Sequence, residues 1–385
     1  MTLTATPPSP DVLDVEAGVI EDARRRQRRH RGVAIAAAVA AVAILVAVAL
    51  VAGGGTPRGG VRSAASGEPV ALVPGQGISS VHLSAGAGNL AAGDGAVWVS
   101  GSRAVTRLDA ATGRVAATIS TPGVGDGGYI AVGDGSIWAT AGLTLGGRGI
   151  VYRIDPRTNR VVATIHVVDS PVFGVAVGAG RVWVTVPKNG PGEVVEINPA
   201  TNRVTGPPIT VGPGPIGVSY GEHAVWVENT SPPSAMRINP LTRTVSSAPV
   251  VEAVGEPAQG DPIPGYGSLW EAANDSLTRF DPSTGKVLAS VHIFRAQATA
   301  IGAGAVWVLV APRASSPDPT ISHPIKRTAA VVEVDPRDNR IVGSPVWLDA
   351  VSPSAITATA TAVWVADNET VIRIPLMRCW SVRCA

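Results

Sequence analysis

Short apolar runs recur along most of the chain, and each is cut by a turn rich in glycine, proline, aspartate or asparagine. The stretch from Tyr129 to Val167 shows the unit. YIAVG (129–133) is followed by a Gly-Asp-Gly turn, then SIWAT (136–140), a variable segment, VYRID (151–155), the turn PRTN, and RVVATIHV (160–167). None of these runs has the 3.6-residue period of an amphipathic helix, and all are strand-length. Asp-Gly is a tight-hairpin signal because the turn needs positive φ. In DPxTN the proline presets φ, the aspartate caps turn amides, and asparagine or glycine takes the left-handed position. The pattern therefore predicts four antiparallel strands per unit, here called A to D. The runs such as AVWV are continuous rather than alternating, as two covered faces require.

The unit repeats. Trp98, Trp138, Trp183, Trp226, Trp270, Trp307 and Trp364 occupy one place in it, at spacings of 40, 45, 43, 44, 37 and 57. Out of phase with them run DAATGR at Asp109, DPRTNR at Asp155, NPATNR at Asn198, NPLTRT at Asn239, DPSTGK at Asp281 and DPRDNR at Asp335. A period of 40–50 residues built from short strands predicts an all-β, seven-bladed β-propeller with four-stranded blades. The tryptophans are expected to fill the wedges between blades rather than to stack on sugars. The seventh unit, from Ala362 to Leu376, has no DPxTG turn and no D strand. SSVHLS, Ser79 to Ser84, resembles a D strand and is expected to complete that blade and close the ring, which removes exposed edges. The rival closure uses the tail around Trp380.

Ahead of the repeats, Val33 to Ala52 is an uncharged apolar run of twenty residues, long enough at about 1.5 Å per residue to cross a bilayer. Arg24 to Arg31, RRRQRRHR, precedes it, and only Arg58 and Arg62 follow closely. This charge bias predicts an uncleaved signal anchor with its N-terminus in the cytoplasm and the propeller outside. Cleavage near Ala47-Val48-Ala49 is the alternative. The expected organisation is a basic cytoplasmic arm (1–32), a transmembrane helix (33–52), a Gly/Pro/Ser-rich linker (53–77), the propeller (78–376) and a tail (377–385). Cys379 and Cys384, both in the tail, are a disulfide candidate if the tail lies outside the cytoplasm; two free thiols are the alternative.

The frame GxGxVWVxxxxxxVxRIDPxTNRVVATI, carried over about residues 78–376, resembles the YVTN-type seven-bladed propeller repeats, to which virginiamycin B lyase-like propellers are also similar. The resemblance implies the propeller fold and an extracytoplasmic bacterial setting. The lyase branch implies a metal and a histidine at the channel mouth. The six histidines do not fit it. His82, His166 and His292 fall on the outermost strands, His223 in an A–B turn, His323 in the blade-six loop and His30 in the arm. No catalytic residue and no metal ligand carries over. LDAATGRVAAT resembles the blade motif of quinone-dependent dehydrogenases, but that motif places tryptophan on strand D, and here it is on strand B.

Composition adds little. A net charge of +2 gives no polyanion signal, so no nucleic-acid partner is expected. No phosphate loop, zinc spacing or nucleophile elbow occurs, and no cofactor is expected. The B–C loops vary, and variable loops on a rigid scaffold carry function. They are expected at Ser100–Ala104, Thr140–Gly149, Val186–Glu193, Glu228–Ser234, Glu271–Ser276, Ala311–Thr328 and Ala366–Thr370. The D–A connections bring a mixed polar rim toward the channel: Asn89, Asp126, Tyr129, Asp169, Phe173, Gln259, Asp261, Arg295 and Gln297. These nine are the candidate ligand-binding residues. The function expected is a non-catalytic, membrane-anchored recognition platform for an extracytoplasmic protein or a small-molecule ligand. A metal-dependent lyase- or hydrolase-like enzyme at the channel mouth is the alternative.

Overall fold

The computed structural model describes residues 71–72, 77–123, 128–141, 147–248, 262–273, 275–311, 329–350 and 352–377. All of them belong to one compact unit, Ser66–Glu252 with Pro257–Ala385; the other unit, Met1–Ala65 with Ala253–Glu256, holds no described residue. The expected arm, transmembrane helix and most of the linker and tail, with Cys379 and Cys384, therefore lie outside the described residues. Among the described residues no helix is long and apolar enough to cross a membrane.

The described strands form seven sheets. The first two strands, β1 (Ala71–Leu72) and β2 (Ser79–His82), precede blade one. Blade one is β3 (Leu90–Gly93), β4 (Ala96–Ser100), β5 (Ala104–Asp109) and β6 (Val115–Ser120). Blade two is β7 (Ile130–Gly133), β8 (Ser136–Ala141), β9 (Gly149–Asp155) and β10 (Arg160–Val168). Blade three is β11 (Val175–Gly178), β12 (Arg181–Lys188), β13 (Gly190–Asn198) and β14 (Arg203–Pro213). Blade four is β15 (Pro215–Gly221), β16 (Ala224–Thr230), β17 (Pro233–Ile238) and β18 (Val245–Ala248). Blade five is β19 (Ile263–Gly265), β20 (Ser268–Ala273), β21 (Ser276–Phe280) and β22 (Val287–His292). Blade six is β23 (Ala296–Gly302), β24 (Ala305–Val310), β25 (Ala329–Asp335) and β26 (Arg340–Leu348). Blade seven is β27 (Pro353–Ala358), β28 (Ala362–Asp367) and β29 (Thr370–Met377), completed by β2 and extended by β1, both paired with β29.

Each blade is an antiparallel meander with strand A on the axis and strand D at the rim. The closing strand is the predicted one: Ser79 lies opposite Arg373 and His82 opposite Thr370. The strands run further than the sequence pattern suggested in blades three, four, five and seven. Their B–C connections shrink to tight hairpins, such as Lys188 opposite Gly190 and Asp367 opposite Thr370. Longer B–C connections remain in blades one, two and six, and most of the latter two lies outside the described residues.

All seven strand-B tryptophans are buried, none more than 1% exposed. Tryptophan there packs between blades, and truncating such a residue costs roughly 3–5 kcal/mol. In five blades its Nε1 donates to the carbonyl of the glycine that ends strand A, as from Trp138 to Gly133 (3.2 Å) and from Trp307 to Gly302 (2.9 Å). That glycine also solves a packing problem at the axis. A Cβ on Gly133 would lie 2.6 Å from Val177 of the next blade, and one on Gly178 would overlap the Tyr220 ring. The A–B turn then takes two positive φ values, Asp134 at 48° and Gly135 at 66°, as a primed hairpin turn requires.

The C–D turns lock four of the blades to the next one. Arg107, Arg153 and Arg279 stack on Trp98, Trp138 and Trp270 at 5.1–5.2 Å. Each Nη1 then crosses to the next blade's turn. Arg107 reaches the Pro156 carbonyl (2.6 Å) and Asn159 Oδ1 (2.9 Å). Arg153 reaches Pro199 (2.5 Å) and Asn202 (2.8 Å), and Arg279 reaches Pro336 (2.8 Å) and Asn339 (3.1 Å). The asparagines sit at φ of 55–61°, the left-handed position the sequence assigned to them. Where strand C carries Glu196 instead of arginine, the next turn carries Arg243 instead of asparagine. The two form an ion pair at 3.0 Å, with polarity reversed.

Within those turns Asp109, Asp155, Asp281 and Asp335 accept turn amides through Oδ1. The Asp109 carboxyl is held below its usual pKa chiefly by the Thr112 hydroxyl, Asp155 by the Arg157 amide, Asp281 by the Thr284 amide and Asp335 by the Arg337 side chain. A carboxyl with a lowered folded pKa adds stability above its unfolded value and loses it as pH falls through the folded one. Thermal stability is therefore expected to fall progressively below about pH 4. Replacing all four by asparagine, which already serves at Asn198 and Asn239, is expected to flatten that acid limb. An unchanged acid limb would exclude these turns as its origin.

Candidate functional site

The short A–B and C–D turns share one face of the disk, and the B–C and D–A connections share the other. On the latter, the described strand-D-to-strand-A connections cross the seams between blades. Side chains near the channel mouth tie the seams together by donating to the next blade's carbonyl. Ser100 Oγ reaches Gly128 O (2.6 Å), Thr185 Oγ1 reaches Ile216 O (2.8 Å), Ser219 Oγ reaches Pro262 O (2.7 Å), and Ser354 Oγ reaches Gly88 O (3.0 Å).

Two of the nine candidate residues also take part in this ring. Asn89 Nδ2 donates to Gly128 O at 3.2 Å, and Gln297 Nε2 to Pro353 O at 3.4 Å. Both act as ties between blades, the first on the seam between blades one and two and the second on the seam between six and seven. Tyr129 and Phe173 are half-buried, and Tyr129 packs against the core shared by blades two and three. Asp169 is exposed and pairs with His166 at 3.0 Å. Arg295 is exposed, lies over the Phe294 ring at 5.0 Å and takes φ of 62°, its amide held by Asp275 Oδ1 at 2.7 Å. Asp126, Gln259 and Asp261 lie outside the described residues. The nine are therefore spread over several blades, and the described ones do not form one cluster.

A cleft that the sequence did not single out lies on the same face, at the seam between blades seven and one. Its volume is about 600 Å³. It exists because the closing strand β2 must reach β3 by crossing that seam, and the crossing segment Ser84–Asn89 is made of small residues. Backbone bonds fix its floor: Leu83 N to Glu369 O and Ala87 N to Asn368 O, both 2.6 Å, and Ser102 N to Ala85 O, 2.6 Å. Ser84, Ser102, Ser352, Ser354, Asn89, Asn368 and Glu369 line it. The lining carries one carboxylate and no cationic side chain, so it suits a polar ligand that donates hydrogen bonds or carries positive charge. Only Asn89 of this set was a candidate. The signal for the rest was present in the predicted closure, since a closing strand at Ser79–Ser84 implies a connection over this seam.

The four described histidines do not converge, and His30 and His323 lie outside the described residues. His82 and His166 are well exposed on outer strands, His82 near Glu369 (3.7 Å), and His292 and His223 sit on β22 and in the A–B turn of blade four. Among the described residues no three His, Cys, Asp or Glu side chains group as a metal site.

No protein-family model matches the chain, and no curated protein matches it. Solved structures do. The WD40 repeats of RRP9 are 10% identical and align with 80% of this chain and 100% of that one, at a TM-score of 0.59. The structure of U3-55K is 10% identical over 79% and 100%, at 0.57. The computationally designed Ika8 protein is 10% identical over 77% and 98%, at 0.52. At that identity the likeness carries fold alone, and it agrees with the strand pairing: the chain contains a seven-bladed β-propeller.

Proposed function

We propose that this chain is a single-pass membrane protein of the YVTN-repeat type whose extracytoplasmic propeller is a non-catalytic recognition platform. The face carrying the B–C and D–A connections would receive an extracytoplasmic protein or small-molecule ligand. The observation that carries the reading is the contrast between the two faces. One is occupied by stereotyped turns, several of them bonded to the neighbouring blade. The other is irregular and holds the polar cleft between blades seven and one. Irregular connections on a rigid frame are where binding specificity resides.

Two further features support it. The apolar run Val33–Ala52 with its arginine-rich N-terminal flank is what an anchor with the N-terminus inside requires. The closing strand runs from Ser79, level with the C–D turns, to His82, at the opposite end. The closing strand thus enters from the turn face and ends at the irregular one.

The test uses the full chain with Cys379 and Cys384 replaced by serine. Ser102→Cys is expected to react in intact cells with a membrane-impermeant maleimide; protection until lysis would sink the topology. A photo-crosslinking residue at Asn368 is expected to yield a discrete adduct that one at Ala200, on the turn face, does not. Identical adducts from both would remove the face assignment.

A further inference from the structure

We propose that the turn-face cleft between blades seven and one binds a carboxylate through Arg373. The argument rests on comparison between the blades. Five blades place an arginine on strand C directly opposite the tryptophan of strand B. Three of these arginines, Arg107, Arg153 and Arg279, each bond two oxygens of the next turn, a backbone carbonyl and an asparagine Oδ1. Arg373 stacks on Trp364 at 5.7 Å, but the turn it faces carries Gly113 where the others carry asparagine. Its Nε is buried with no hydrogen-bond partner, and its guanidinium makes no hydrogen bond or ion pair with the described residues.

A cleft of about 340 Å³ opens at this place. Arg373 and Arg114 line it, with the hydroxyl-bearing Ser79, Ser80 and Thr112, and no acidic side chain lines it. The three bonded arginines define what such a guanidinium donates to here: two oxygens, both reached by Nη1. A planar carboxylate supplies both, and it fits the fork of arginine in a bidentate pair. The positive lining selects for the anion.

The pairing on strand D separates the same two groups of arginines. The bonded ones lie opposite alanine: Arg107 opposite Ala117, Arg153 opposite Ala163, Arg279 opposite Ala289. Arg373 lies opposite Ser79. Arg237, the remaining one, lies opposite Ser246; its Nε is also buried and unpartnered, and the next turn carries Gly285 followed by Lys286, as Gly113 is followed by Arg114. Serine thus accompanies the arginine wherever the asparagine is missing, while a cation follows the turn in both groups, as Arg160 follows Asn159. The seam between blades four and five repeats the constellation.

The test measures thermal unfolding of the full chain in sodium acetate, sodium phosphate and sodium chloride at equal ionic strength. A second pair of probes is N-acetyl-Ala-Ala as the free acid and as the amide. Acetate and the free acid are expected to raise the transition temperature above chloride, and the amide is not. A response to the free acid alone would assign the site to chain-end carboxylates. Gly113→Asn combined with Gly285→Asn supplies the missing acceptors from within; its left-handed φ of 77° at position 113 suits asparagine. That variant is expected to be more stable than the parent and to lose the acetate response. Arg373→Lys with Arg237→Lys is expected to weaken the response about tenfold or more, since a single ammonium lacks the paired donors. An unchanged response in the asparagine variant, or equal responses to acetate, phosphate and chloride, overturns the proposal.

Discussion

Removing Ser79–His82 is expected to lower the melting temperature by about 10 °C and to broaden the transition. Four residue pairs hold this strand to β29. At roughly 1 kcal/mol net per hydrogen bond plus the packing of Val81 against the core shared by blades seven and one, the loss is about 4–6 kcal/mol. That is a large share of the 5–15 kcal/mol by which domains are stable, and for a domain of this size each kcal/mol moves the transition by about 2 °C. The deletion also bares the edge of β29 from Thr370 to Arg373. An exposed edge pairs with other chains, so the variant is expected to elute as dimers and larger species. A peptide with the sequence SSVHLS added in excess is expected to restore both the transition and the monomer. A shift under about 2 °C, with no change in size, would mean that the ring does not depend on this closure.

The second large effect is expected at the axis. Gly178→Ala places a methyl group against the Tyr220 ring, closer than any van der Waals contact permits. Tyr220 packs with the core of blades three and four, so its ring has little room to withdraw. Overpacking of this kind costs typically 1–3 kcal/mol, and the upper end is expected because the clash falls on the ring carbons nearest the backbone. Backbone movement would also disturb the Gly178 carbonyl, which accepts the Trp183 indole at 3.1 Å. Tyr220→Ala alone is expected to destabilise. In the Gly178→Ala background the same change is expected to be neutral or stabilising. That reversal of sign is the signature of direct contact, read from urea unfolding of the four proteins in the cycle. Additive losses would show that the clash is relieved elsewhere.

The repeat made much of this fold readable. Strand boundaries in blade two agree to within two residues, because Gly-Asp-Gly and DPRTN mark the turns on either side of strands B, C and D. The seven tryptophans and the closing strand followed from the same periodicity. The B–C loops were drawn too long in blades three, four, five and seven, because Pro187, Asn189, Pro232 and similar residues suggest irregular chain where strands in fact continue to the hairpin. The rim residues were harder. Asn89 and Gln297 look like free polar groups in a connection, yet each is consumed by a carbonyl 39 and 56 residues away on the next blade. The polar cleft has no motif at all: small residues from three connections meet there only because of closure. The arginine-to-asparagine bonds span 49 to 60 residues, beyond any local pattern. The exchange of Asn for Arg243 in one turn, and of Arg for Glu196 in the strand that faces it, is visible once the repeats are aligned.

These bonds run in one direction round the ring, from strand C of one blade to the turn of the next, and this gives blades a grammar. A propeller that grows by copying a blade in tandem must satisfy a new junction between the copy and its original. A duplicate of blade two would set Arg153 against Asn159, the same chemistry as the present Arg153–Asn202 junction. A duplicate of blade three would set the first copy's Glu196 against Asn202, a junction without an ion pair, while the second copy kept the pair with Arg243. Copying is thus easier from some blades than from others, and the Glu196–Arg243 junction ties the residue choice on one blade to that on the next.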